Sequence, residues 1–233
     1  MTPVPPLPAP RSGRESTRSP RVLVRNVSIS LDGFAAGLSQ DLDNPLGVGG
    51  TELHKWIFAT RSGNEMIGAE GGSEGLDDEF FSKRAAGVGA TIMGRNMFGP
   101  IRGAWDENDW TGWWGENPPF HHPVFVLTHH PRPPLEMQGG TTFHFVNGGI
   151  HAALDAAFEA ARDSDVLIGG GAATIRQYLA AGLIDDMHLA IVPVLLGSGE
   201  RLFDGLTQLA DEYRCVEHIC SPAVTHVRIQ KSK

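Results

Sequence analysis

Two apolar runs in this chain end in glycine, Ala90-Thr91-Ile92-Met93-Gly94-Arg95-Asn96 and Val166-Leu167-Ile168-Gly169-Gly170-Gly171-Ala172-Ala173-Thr174. In each, a β-branched stretch long enough for a buried strand stops at glycine and passes into small or polar residues. Backbone N–H groups are then left uncovered at a strand's carboxyl end, which is how a sheet protein holds a phosphate-bearing cofactor. A third run, Val124-Phe125-Val126-Leu127-Thr128, ends in hydroxyl and basic residues. Three such ends converging in one sheet would make a dinucleotide cleft. Arg95 offers a charged fork for a phosphate, although an exposed arginine on an ordinary strand-to-helix turn would read the same way. Gly169 to Gly171 permit close approach to a pyrophosphate at a helix amino terminus; a tight turn would need only one glycine.

Asp32 is the carboxylate of most chemical interest. It follows a β-rich strand, and Ser30 and Asp32 share a face if that strand continues. Asp32-Gly33 is equally a common turn pair, in which the carboxylate only caps the turn. The pairs His121-His122 and His129-His130 diverge on an extended chain and lack an acidic or histidine partner at helical ligand spacing, so no metal is assigned. Trp105, Trp110, Trp113 and Trp114 crowd one segment with Asp106, Glu107, Asp109 and Glu116. That segment reads either as a lid stacking on a planar, amine-bearing substrate or as a loop packed on the core or at a subunit interface. Leu195 to Phe203 shapes the far side of a cleft or serves only as a turn.

Elements that could position these groups follow from periodicity. Residues 1–20 are rich in proline, serine and arginine, lack the apolar core of a secretory signal, and read as a disordered extension. Val22 to Ile29 is the first core strand, and Leu53 to Phe58 a short helix among long glycine-rich loops. Apolar residues at Ile150, Ala153, Leu154, Ala157, Phe158 and Ala161 mark one helical face. A second helix starts within Gly171 to Thr174, buries Ile175, Tyr178 and Leu179, and ends at Gly182. Met187 to Leu196 is apolar on both parities and reads as a central strand up to Pro193. Arg214 to Ile219 and Ala223 to Ile229, split by Ser221-Pro222, form a closing hairpin. Strands alternating with helices give a largely parallel α/β sheet with an antiparallel end.

The chain has 233 residues, 41% of them apolar, enough for one sizeable core, read here as one domain over residues 21–233. A net charge of -8 argues against a nucleic-acid or anionic-membrane surface. No apolar stretch is long enough to span a bilayer, so a soluble protein is expected. Cys215 and Cys220 have opposite parity on one strand, which disfavours a disulfide and makes a reducing cytosol the simpler setting.

Ser28-Ile29-Ser30-Leu31-Asp32-Gly33-Phe34-Ala35-Ala36-Gly37, Met93-Gly94-Arg95-Asn96-Met97-Phe98, Gly169-Gly170-Gly171 and Pro193-Val194-Leu195-Leu196-Gly197-Ser198-Gly199 stand in order. Together they resemble the dihydrofolate-reductase-like superfamily, in the branch similar to the reductase domain of the bifunctional riboflavin-biosynthesis deaminase-reductase. The resemblance covers roughly Arg21 to Lys233. It implies a dihydrofolate-reductase-like fold, NADPH as cofactor, a small-molecule substrate and a homodimer. It further implies cofactor contacts at Gly94, Arg95 and Asn96, at Thr128 with Arg132 less securely placed, and along Gly169, Gly170, Gly171, Ala172, Ala173 and Thr174. Ala36 and Gly37 would approach the nicotinamide, and Asp32 with Ser30 would lie near the substrate as catalytic residues. The His-x-Glu and Pro-Cys-x-x-Cys zinc signature of a deaminase is missing, so deamination is excluded. The first loop also lacks the Pro-Trp pair of true dihydrofolate reductase. The leading expectation is an NADPH-dependent reductase of a small heterocycle or carbonyl compound. The alternatives are a non-catalytic NADPH-binding or sensor protein and an interaction protein that docks a partner through its tryptophans.

Overall fold

The computed structural model describes residues 18–100, 103–105, 110–207, 209 and 211–232. Most of the expected disordered extension therefore lies outside the described residues. Its end, residues 18–20, runs against the domain: Arg18 reaches the buried carboxylate of Asp165 at 2.6 Å, and the Arg21 amide donates to the same group at 2.8 Å.

Six parallel strands form the middle of the sheet: β1 (Val22–Ser30), β3 (Val88–Gly94), β4 (Pro123–Leu127), β6 (Thr142–Val146), β7 (Asp165–Gly170) and β8 (Asp186–Val192). Antiparallel strands close both sides, β5 (Leu135–Glu136) on one, β10 (Tyr213–Cys220) and β11 (Thr225–Lys231) on the other. The order is β10-β11-β8-β1-β7-β3-β4-β6-β5, with β2 (Phe34–Ala36) and β9 (Glu200–Arg201) pairing separately. This is the mostly parallel α/β sheet with an antiparallel carboxyl-terminal end that the sequence pattern predicts. Val22, Leu23 and Val24 are all buried because both faces of the sheet are covered.

Helix α5 (Gly149–Ala161) packs on β3 and β4, and α6 (Ala172–Ala180) on β7, both close to their expected bounds. Ile175, Tyr178 and Leu179 of α6 are buried as anticipated, and Gly182 ends the helix at φ +62°. The opposite face carries α1 (Lys55–Phe58), α2 (Arg61–Met66) and α3 (Leu76–Ser82), while α4 (Arg95–Phe98) is one turn after β3. Trp56, Ile57 and Phe81 from α1 and α3 pack with Ala190 and Val192 of β8.

β1 carries a bulge. Val24 faces Met187 and Val27 faces Leu189, so β1 spends one more residue than β8 over that interval, and Asn26 takes φ +55°. The extra residue keeps Val22, Val24, Val27 and Ile29 in one apolar cluster despite their change of parity. The two cysteines of β10 are free and exposed.

Candidate active site

A cleft of about 900 Å³ opens at the carboxyl ends of β3, β4, β6 and β7 and along the second half of β1. Ligands bind at this end of open α/β sheets, and the volume suits a small-molecule or cofactor site. The structure brings Gly94, Arg95, Asn96, Thr128 and the whole run from Gly169 to Thr174 into this one cleft, with Ala36 on its rim.

The two glycine turns touch. A Cβ at Gly94 would stand 2.4 Å from the Thr174 hydroxyl, so only glycine lets the end of β3 meet the first turn of α6. Gly170 sits at φ +135°, a region that side chains rarely enter, and the Gly170–Gly171 peptide is cis. Gly171 precedes α6 at φ -72°, and a Cβ there would meet nothing within 4 Å. Its outer side is open space beside the amino terminus of a nine-residue helix, the placement a pyrophosphate requires. The Arg95 guanidinium carbon sits over the Trp105 ring, 3.4 Å from its centroid, and Nη1 donates to Thr128 Oγ1 at 3.2 Å. Stacking and hydrogen bonding thus fix the guanidinium at the β4 end of the cleft.

Ser30, Asp32 and Gly37 are not among the residues lining the cleft. Both Asp32 carboxylate oxygens accept backbone amides of the 195–199 loop, from Leu196 at 3.1 Å and Gly197 at 2.7 Å. The Ser30 hydroxyl is the main cause holding this carboxyl down at about 2, with the two amides adding to it. Ser30 also accepts the Phe34 amide at 3.0 Å, and Arg201 donates to the Asp32 carbonyl at 2.6 Å. Of the two roles open to an Asp-Gly pair, the contacts present are those of the cap, and they tie the end of β1 to the loop after β8. Gly37 serves a close approach of chain to chain, since a Cβ there would stand 2.0 Å from the Val48 carbonyl oxygen.

Trp105, Trp110 and Trp114 pack with Phe98 and Phe143, and the Trp110 indole donates to the Phe98 carbonyl at 3.0 Å. Their segment is a loop packed on the core, with Trp113 and Trp114 presenting atoms to the cleft. Asp106, Glu107 and Asp109 lie outside the described residues. Arg132 packs on the rings of Trp105 and Phe145, and Glu200 of β9 lines the cleft opposite Ala36. His121 and His122 part company, His121 Nδ1 to the Gly139 carbonyl at 2.9 Å and His122 Nε2 to the Thr91 hydroxyl at 2.7 Å.

Sequence reasoning missed one wall of the cleft, formed by Asn26, Ser28 and His54 with Phe58 and Met66. The Ser28 hydroxyl accepts the Trp56 indole N–H at 2.9 Å. His54 Nδ1 is shut from solvent and has no hydrogen-bond partner, and burial pushes its imidazole below the usual histidine range against a smaller opposing pull from the Gly50 carbonyl. The one advance signal of this wall is the slip of parity between Val24 and Val27.

A sequence model of the family described as the RibD C-terminal domain matches residues 21–227. Among curated proteins, the YwjB protein of Bacillus subtilis (strain 168) is 35% identical over 63 residues, which cover 27% of this chain and 36% of that one. Among solved structures, a protein described as a riboflavin biosynthesis protein from Shewanella sp. PV-4 aligns over 91% of this chain and 99% of its own with TM-score 0.57 and 21% identity. A diaminohydroxyphosphoribosylaminopyrimidine deaminase/5-amino-6-(5-phosphoribosylamino)uracil reductase from Thermotoga maritima aligns over 92% of this chain and 57% of its own, with TM-score 0.54 and 16% identity. Likeness at these identities shows the fold alone, one shared with these two riboflavin-biosynthesis structures.

Proposed function

Because the chain belongs to the RibD C-terminal domain family, we propose that it is an NADPH-dependent reductase of a small heterocyclic or carbonyl substrate. The observation that carries this reading is the junction of the two glycine turns, with open space outside Gly171 and a fixed guanidinium at the β4 end of the same cleft. Bound there, NADPH would supply the hydride. The backbone from Gly169 to Gly171 and the first amides of α6, at Ala172 and Ala173, would hold its pyrophosphate, with Thr174 beside them, its own amide donating to the Gly171 carbonyl at 3.0 Å, and Arg95 with Thr128 would hold its 2′-phosphate. Ala36 would leave room for the flat nicotinamide, and the wall of Asn26, Ser28 and His54 would seat the substrate. Trp113 and Trp114 would shut water from the cleft.

We also propose that the protein is a homodimer. β10 is exposed along almost its whole length, and Val216 and Ile219 stand 40% and 41% accessible on it, an apolar strand suited to pairing with a second copy.

NADPH titration of the wild type and of Gly171→Val tests the cofactor site. The added Cβ meets no protein atom within 4 Å and stands at a φ of -72° that side chains adopt, so the variant should fold like the wild type and bind NADPH at least tenfold more weakly. Unchanged affinity in the folded variant refutes the assignment. A panel of NADPH-oxidation assays with aminopyrimidine and carbonyl substrates then tests turnover, and tight binding with no oxidation across the panel would favour a sensor over an enzyme.

A further inference from the structure

The β1 bulge is held from behind by a buried chain of hydrogen bonds that the cofactor site does not use. The Asn26 backbone N–H donates to His188 Nδ1 at 3.2 Å, His188 Nε2 meets His226 Nδ1 at 3.0 Å, and His226 Nε2 meets Asp77 Oδ1 at 2.8 Å. A backbone N–H only donates, so His188 Nδ1 carries no proton. The proton of neutral His188 is then on Nε2, His226 Nδ1 accepts it, and His226 Nε2–H points to the carboxylate of Asp77. Every polar atom of both rings is used in one direction. Both imidazoles are buried, and Phe80 lies parallel to them at 4.5 and 4.0 Å between centroids. The Asn26 side chain leans on the same helix, Nδ2 donating to the Phe80 carbonyl at 3.3 Å.

What this chain holds is locally unfavourable. Asn26 sits in the left-handed region, and its Oδ1 is enclosed with no hydrogen-bond partner. Broken local rules of this kind, and bulges in particular, gather beside functional sites. Asn26, Val27 and Ser28 all line the cleft, at the wall assigned above to the substrate. Without the bulge, every side chain beyond it would turn to the other face of the sheet.

We propose that Asp77, His226 and His188 are positioning residues that hold the Asn26 bulge and thereby set the substrate wall of the cleft, leaving the cofactor end untouched. This inference rests on the reductase reading of the same cleft. His188→Phe keeps a flat ring against Phe80 but cannot accept the Asn26 N–H, whereas His188→Gln offers an amide oxygen to Asn26 and an NH2 to His226. Calorimetry with NADPH alone, and then with 5,6-diaminouracil added to the NADPH-loaded protein, separates the two ends. Hydrogen exchange at the Asn26 amide reports on the bulge without any ligand. His188→Phe should bind NADPH within twofold of wild type, bind the probe at least tenfold more weakly, and exchange the Asn26 amide at least tenfold faster; His188→Gln should return both toward wild type. An unchanged Asn26 exchange rate in His188→Phe, or an equal loss of NADPH affinity, overturns the positioning role. Failure of the wild type to bind NADPH refutes the reductase reading instead, while the exchange measurement still decides the inference.

Discussion

Acid should destabilise this protein through His188 well above the pH at which carboxylates titrate. The imidazole is 5% accessible on β8, and burial, reinforced by the neighbouring His226 and Arg228 of β11 and by Arg25 of β1, pushes its pKa from 6.5 down to about 3, with Asp186 opposing. His188 is thus neutral in the native state and protonated in the unfolded chain at pH 5. Its contribution is fully present above pH 6.5 and is lost progressively as pH falls toward about 3. One proton taken up on unfolding is worth about 1.4 kcal/mol per pH unit, so the 1.5 units between 6.5 and pH 5 cost about 2 kcal/mol. A loss of that size is a sizeable share of a domain's usual 5–15 kcal/mol. Urea denaturation followed by tryptophan fluorescence at pH 7.5 and pH 5.0 measures it. The wild type should lose about 2 kcal/mol more than His188→Phe between these two pH values, because the phenyl ring takes up no proton. Equal losses in the two proteins would refute the reasoning.

Three other outcomes follow from the site. Arg95→Gln should cut NADPH affinity by roughly ten- to a hundredfold, the equivalent of a charge-assisted contact worth about 1.5–3 kcal/mol, and leave NADH affinity nearly unchanged; a parallel loss for both cofactors would move the 2′-phosphate away from Arg95. Asp32→Asn should lower the melting temperature by loosening the 195–199 loop while NADPH affinity stays within twofold, and a loss of affinity without loss of stability would return Asp32 to the ligand. Light scattering at micromolar concentration should give twice the 25.1 kDa chain mass, and a monomeric mass would end the homodimer proposal.

The parts of the fold that could be read in advance are those built from local period. Helices α5 and α6 announce themselves by apolar spacing, and β8 by being apolar on both parities. The meeting of the two glycine turns was legible because glycine is informative where two segments must approach closely, as Gly94 does against Thr174. Asp32 was ambiguous in sequence for a physical reason: a carboxylate before glycine can face a ligand or cap a loop, and the choice lay with Leu196 and Gly197, far along the chain. The wall of Asn26, Ser28 and His54 was hidden for the same reason, since Asp77, His188 and His226 meet only in three dimensions. The shift of parity in β1 was visible, but nothing local showed that it was a bulge.

The placement of β1 also bears on how the chain is made. β1 is synthesised first among the described strands, yet its neighbours in the sheet are β7 and β8, with Val22 beside Val166 and Leu23 beside Asp186. Among the described residues, no strand that emerges before residue 165 pairs with it. During translation its hydrogen-bonding edges therefore wait, unpaired, while β3, α5 and the loops between them leave the ribosome. Pairing so distant in sequence slows folding and leaves an open strand edge exposed to other chains meanwhile. A carboxyl-terminal truncation that removes β8 would leave the first strand permanently without one of its two partners.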